Sequence, residues 1–117
     1  MDVKQFYDAI GGNYQRALET MMNDEFVKRM LLKFLNSSSY SDLLEAFRNK
    51  DIQTIFNVTH MLKGVAGNLA LTPLQLEATA VCEIARNAFE YTAELDIKTE
   101  NLISVYELIN SNLKQLC

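Results

Sequence analysis

Apolar side chains recur at intervals of three and four residues along most of this chain, as they do on the buried face of an amphipathic helix. The clearest stripe comprises Val27, Met30, Leu31, Phe34 and Leu35. The chain has a single proline and no alternating run of polar and apolar residues long enough for a convincing strand. This pattern predicts an all-α fold.

Turn and capping residues divide the chain into helices. The sequence predicts a short helix over Val3 to Ile10 that stops at Gly11-Gly12, and a second short segment from Asn13 to about Met22. Asn23 is a predicted N-cap for the helix that carries the stripe above. The serine-rich stretch NSSSYS then leaves open whether residues 23–49 form one helix or two.

Asp51 is the predicted N-cap of a helix that extends to Leu71. The next helix is predicted to start with Thr72 as its N-cap, Pro73 at the first helical position and Gln75 three residues after the cap.

The buried stripe of the helix with Thr72 as its predicted N-cap is expected to extend as far as Phe89. A polar connection over residues 92–98 is then expected to lead to a last helix capped by Thr99. Four amphipathic helices with mostly short connections predict an antiparallel four-helix bundle with one or two additional short N-terminal helices. The 117 residues are expected to form a single domain, residues 1–117.

Composition and charge exclude several classes of protein. The net charge of -4 argues against nucleic-acid binding, which needs a basic face. No run of about 18 apolar residues is present, and the first ten residues do not resemble a signal peptide, so we expect no membrane association. Cys82 and Cys117 form no C-x-x-C pair, which favours a reducing, cytoplasmic setting. One histidine and two distant cysteines do not form a zinc site, so no metal is expected.

The only histidine, His60, lies in the segment THMLKGVAGNL, residues 59–69. On a helical wheel it falls well away from the apolar stripe, and Gly64, Gly67 and Leu71 fall within about 40° of it. Glycine at two helical positions costs about 2 kcal/mol relative to alanine. A lone helical histidine is most often simply solvated, and Gly-x-x-Gly most often marks close helix packing. The wheel, however, turns both glycines away from the bundle, which indicates a surface that another molecule approaches closely.

The chemistry that this surface supports is narrow. An exposed imidazole with a free ring nitrogen is a competent nucleophile at neutral pH, and no serine or cysteine forms an evident triad with it. Lys63, three residues further on, can lay its stem on apolar surface and bring its ammonium group towards the imidazole. Phosphoryl transfer requires mostly positioning and neutralisation of charge, so a phosphoryl group is a natural candidate for transfer.

The segment THMLKGVAGNLAL resembles the H-x-L-K-G signature of histidine-phosphotransfer (HPt) domains. The resemblance implies that His60 accepts a phosphoryl group from a receiver-domain aspartate and passes it to another receiver in a two-component phosphorelay. It also implies that Lys63 stabilises the phosphorylated form, and that Gly64 and Gly67 give steric access. The candidate docking residues are Asn57, Met61, Asn68 and Leu71.

The expected partners are response-regulator receiver domains, with a hybrid sensor kinase as a further one. The receiver would supply the Mg²⁺, so the chain would need no cofactor and would have no kinase activity of its own.

Two departures from the family pattern stand out. No glutamine faces His60 near Cys82 and Glu83, and either Glu83 or water could take the role of that glutamine. The second departure is Ala70, which stands where glycine is frequent, and we expect little consequence from it.

Two other functions are compatible with the sequence. One is a helical docking module that binds receiver domains without carrying phosphate, although the presence of both His60 and Lys63 argues against it. The other is a dimerising fragment of a kinase. A dimer would need a second apolar face on the long helices, and each has one stripe, so we expect a monomer.

Overall fold

The structure is a computed structural model that describes residues 1–116, and all regular secondary structure in that range is α-helical. The helices are α1 (Val3–Ile10), α2 (Tyr14–Met21), α3 (Asp24–Leu35), α4 (Ser39–Arg48), α5 (Ile52–Asn68), α6 (Thr72–Arg86) and α7 (Ala93–Leu113). The prediction of an all-α fold is confirmed. Cys117 lies outside the described residues.

Short polar side chains begin the N-terminal helices. The Asp2 carboxylate accepts the Gln5 N–H at 2.8 Å, and the Gln5 side chain accepts the Asp2 N–H at 2.9 Å, which makes a reciprocal capping box for α1. Gly11 ends α1 in the left-handed conformation at φ 71°. Asn23 caps α3 as predicted, with its side-chain oxygen accepting the Phe26 N–H at 2.8 Å.

Residues 23–49, for which the sequence left one or two helices open, form α3 and α4. The Ser37 hydroxyl donates to the Phe34 carbonyl at 2.7 Å, which satisfies an acceptor at the end of α3. The Ser39 hydroxyl lies 2.7 Å from the hydroxyl of buried Tyr106 on α7. Serine hydroxyls that bond to backbone carbonyls and to a neighbouring helix stabilise the break, because they compete with continued helix.

The chain reverses sharply between α5 and α6, so α5 ends at Asn68 and not at Leu71. Ala70 adopts a left-handed φ of 56°, and the Leu71 N–H donates back to the Ala66 carbonyl at 2.8 Å. The expectation that Ala70 has little consequence is wrong, because an L-residue in this conformation costs roughly 1–2 kcal/mol. Gly12 lies against this turn, and a Cβ on Gly12 would stand 2.9 Å from the Ala70 carbonyl oxygen.

The predicted starts of the last two helices need correction. Leu71 and not Thr72 occupies the N-cap position of α6, and no side chain caps that helix. α7 begins at Ala93, with the Thr92 hydroxyl accepting the Leu95 N–H at 3.2 Å. Thr99 is therefore not a cap. It is buried inside α7, where its hydroxyl donates to the Leu95 carbonyl at 2.7 Å.

The predicted burial of Phe89 is also wrong. α6 ends at Arg86, so Phe89 lies in the connection to α7, and its side chain is fully exposed. The apolar periodicity of the sequence continues to Phe89, whereas the helix itself ends at Arg86.

Neighbouring helices along the second half of the chain pack against each other. α5 packs against α4 and α6, α6 packs against α7, and α4 contacts α7. The N-terminal helices join this group through α1 and α3, which both contact α7. The molecule measures 44 × 23 × 19 Å along its principal axes. No helix within residues 1–116 has both the length and the apolar character needed to cross a bilayer.

Tyr7 ties α1 to the end of α5. Its side chain is fully buried, and its hydroxyl donates to the Leu69 carbonyl at 2.6 Å. Burial raises the pKa of Tyr7 far above its usual range, since the phenolate would be desolvated. Leu69 is the C-cap residue of α5, so this bond supplies a partner for a carbonyl that the helix itself leaves unbonded.

Tyr7→Phe is expected to lower the free energy of unfolding by roughly 1–3 kcal/mol, because it leaves a buried carbonyl without a donor. Tyr14→Phe is the matched control, since the Tyr14 hydroxyl bonds to Asp24 at an exposed site and its loss should cost about 0.5 kcal/mol or less. Urea unfolding of both variants measures the difference. Equal losses would contradict the assignment of the Tyr7 bond as a tie between α1 and α5.

Candidate functional site

The helix that carries His60 is fixed at its start and along one face. The Asp51 carboxylate accepts both the hydroxyl and the N–H of Thr54, at 2.7 Å and 3.1 Å. These bonds hold the pKa of Asp51 below its usual range, because they favour the ionised carboxylate. Ile55, Leu62 and Ala66 are fully buried, and their burial against the neighbouring helices turns the opposite flank of α5 to solvent.

That flank presents His60 together with four of its predicted neighbours. Asn57, Met61, Gly64 and Asn68 are exposed, as is His60 itself. Leu71 does not join them, because the turn after α5 carries it into the interior, where it is fully buried. The prediction that Leu71 lies on an exposed docking face is therefore wrong.

Phe56 stacks on the imidazole of His60. The two ring centroids are 5.8 Å apart and the ring planes differ by 25°, an offset arrangement that typically contributes about 0.5–1.5 kcal/mol. The apolar periodicity of this helix places Phe56 in its buried stripe and does not by itself reveal the contact. The four-residue spacing from Phe56 to His60 is the signal that would have indicated the contact.

A charged pair on α6 completes this cluster. The Arg86 guanidinium carbon lies 5.8 Å from the centroid of the Phe56 ring, within the range of a cation–π contact. The Arg86 guanidinium also donates to the Glu83 carboxylate at 2.9 Å. Within the described residues the Glu83 carboxylate bonds to Arg86 and forms no hydrogen bond to His60. No side chain among residues 1–116 forms a hydrogen bond to His60.

Lys63 is half-buried and follows His60 by three residues, so the two lie on adjacent parts of the helix surface. The ion pairs within residues 1–116 join Lys4 to Asp8 and Arg86 to Glu83, and neither involves Lys63. Its ammonium group is thus not neutralised by a carboxylate of the described chain. A positive charge in this state attracts an anion that arrives at the imidazole.

The two glycines of the segment differ in their surroundings. In the part of the chain that the structure describes, a Cβ built on Gly64 would meet nothing within 4 Å, so packing there does not require glycine. A Cβ on Gly67 would lie 2.9 Å from the Nε2 atom of Gln75 on α6. Gly67 is buried in this contact, which corrects the prediction that it is turned away from the bundle.

An apolar groove borders the exposed flank of α5. Met61, 48% exposed, lines it together with Val65 of the same helix and with Met30 and Phe34 of α3. The groove has a volume of about 310 Å³, and Lys33 stands at its edge. The surface next to His60 therefore combines exposed polar groups with an apolar recess.

No group of three or more His, Cys, Asp or Glu side chains within the described residues is placed to hold a metal ion. In comparisons with known proteins, no family model, no curated protein and no solved structure matches this chain. Its function must therefore be argued from the HMLKG segment and from the geometry around His60.

Gly64→Ala is expected to raise the free energy of unfolding by about 1 kcal/mol, because alanine is the better helix former and its methyl group meets open space. Gly67→Ala is the matched comparison. It should gain less or lose stability, since the new methyl group must displace the Gln75 amide. Thermal and urea unfolding measure the change in the free energy of unfolding for both variants. A loss of stability at Gly64 would show that its surroundings are not open.

Proposed function

We propose that this chain is a phosphorelay carrier of the HPt type, in which His60 accepts a phosphoryl group from a receiver-domain aspartate and passes it to another receiver. The proposal includes an antiparallel four-helix bundle formed by α4 to α7, with α1 and α2 as the two additional short N-terminal helices and α3 in contact with α7. The contacts of α5 with α4 and α6, and of α7 with α4 and α6, support this arrangement.

The observation that carries the proposal is the open space at Gly64. A side chain on a helix leans towards the N-terminus and covers the turn before its own Cα. A side chain at position 64 would therefore lie over His60, four residues earlier. Glycine leaves the imidazole uncovered at a cost of about 1 kcal/mol, and no described residue within 4 Å of its missing Cβ explains that cost through packing.

The chemistry proposed at this surface needs few groups from the chain. A ring nitrogen of neutral His60 attacks the phosphorus of an aspartyl phosphate, an N–P bond forms, the P–O bond to the aspartate breaks, and the carboxylate leaves with the electron pair. The second transfer reverses these steps on another receiver. Lys63 stabilises the negative charge of the phosphoryl group in both directions, because its ammonium group has no carboxylate partner among residues 1–116.

The partner supplies what the chain lacks. In this proposal the receiver brings Mg²⁺ and its acidic pocket, and the chain acts as a monomeric cytoplasmic carrier without a cofactor or kinase activity. The receiver docks on exposed Asn57, Met61 and Asn68 and on the adjoining apolar groove. An apolar recess with a polar rim is the usual composition of a transient protein interface.

Mixing the protein with phosphorylated receiver domains and following the label tests the proposal. The wild type should acquire an acid-labile phosphoryl group, and His60→Gln should acquire none. Circular dichroism should show an unchanged fold in His60→Gln, because the side chain is exposed and forms no hydrogen bond within residues 1–116. Binding of receivers without labelling of the wild type would instead favour a docking module.

Gly64→Leu tests the access argument directly. The leucine side chain should cover His60 and slow transfer from a receiver at least tenfold, an effect of about 1.4 kcal/mol on the barrier, while the helix is kept or stabilised. Ser104→Leu is the control, since Ser104 is an exposed position on α7. Transfer at the wild-type rate in Gly64→Leu would show that the open space at Gly64 does not serve the receiver.

A further inference from the structure

Within the described residues the imidazole of His60 has no hydrogen bond to fix it, but it forms a ring contact with Phe56. The Phe56 ring lies 5.8 Å from it, nearly parallel. Phe56 precedes His60 by one helical turn and Gly64 follows it by one turn. An imidazole stacked on Phe56 therefore leans towards the start of α5, and the space over Gly64 stays free.

The Phe56 ring is itself held from a second helix. It is half-buried between α5 and α6, and the Arg86 guanidinium lies 5.8 Å from its centroid. Glu83 holds that guanidinium through the 2.9 Å hydrogen bond. Two successive contacts therefore connect α6 to the imidazole on α5, the first from Arg86 to Phe56 and the second from Phe56 to His60.

We propose that Phe56 is a positioning residue that keeps the His60 imidazole leaning away from Gly64, and that Arg86 with Glu83 keeps the Phe56 ring in place. The proposal rests on the proposed function, because it assigns the freed space over Gly64 to the incoming phosphoryl group. An imidazole held in one orientation does not have to be ordered in the transition state, so more of its encounters with a phosphoryl donor are productive.

Proton NMR tests the stack independently of any transfer. The chain contains one histidine, so the imidazole gives a single pair of carbon-bound proton signals. At about pH 9, where an ordinary imidazole is neutral, these signals should be shifted by the Phe56 ring current in the wild type. The couplings across the Cα–Cβ bond of His60 should report one dominant rotamer.

Phe56→Leu should move both ring signals of His60 towards random-coil positions and average the couplings, while Phe56→Tyr should preserve both. Circular dichroism and thermal unfolding confirm that the variants remain helical. Wild-type signals at random-coil positions, or signals that do not change in Phe56→Leu, would overturn the proposal. Arg86→Met should produce a smaller shift in the same direction, and the absence of any shift would remove α6 from the proposal.

Reactivity is measured with phosphoramidate, a small phosphoryl donor that needs no docking surface. Phe56→Leu should lower the rate of His60 phosphorylation about fivefold, the factor that corresponds to an aromatic pair of about 1 kcal/mol, and Phe56→Tyr should restore it. Equal rates in all three proteins would overturn the positioning role.

The two proposals fail in different ways. A wild type that shows the ring-current shift but takes no label from phosphoramidate or from any receiver would overturn the phosphorelay function, and with it the role of Phe56 in reactivity. A wild type that is labelled but shows an averaged imidazole would overturn only the positioning role.

Discussion

The burial of one face of α5 is the constraint on which the rest of the site depends. Ile55, Leu62 and Ala66 are fully buried, and each large aliphatic side chain removed from water contributes about 1.5–3 kcal/mol. That burial fixes the rotation of the helix about its own axis. Once the rotation is fixed, the periodicity of 3.6 residues places His60 and Gly64 on the solvent side without any further interaction.

The direction of side chains along a helix gives this surface its asymmetry. Phe56, one turn before His60, has an aromatic ring that contacts the imidazole. Gly64, one turn after His60, has no side chain, and a Cβ built there would meet no described residue within 4 Å. The imidazole is therefore supported on one side and uncovered on the other. In the proposed function, the uncovered side is the one from which the phosphoryl group approaches the imidazole.

Several errors in the sequence analysis have one physical origin, which is that local patterns do not report where the chain reverses. Helical periodicity continues through Leu71 and Phe89, so both were assigned to helical faces. The left-handed turn at Ala70 buries Leu71, and the end of α6 leaves Phe89 exposed. Thr99 is the cap that the sequence predicts for the last helix. Only the hydrogen bond from the Leu95 N–H shows that Thr92 begins α7.

The sequence by itself determined the all-α class, the caps at Asn23 and Asp51, and the orientation of His60 towards solvent, because each follows from spacing within one helix. The tertiary structure alone decided the difference between the two glycines, since Gly67 faces Gln75 of α6 and Gly64 faces no other residue of the described range 1–116. It also decided the contact of Arg86 with Phe56, which joins residues 30 positions apart. Such contacts depend on how one helix lies against the next, and a periodic pattern within either helix contains no information on that.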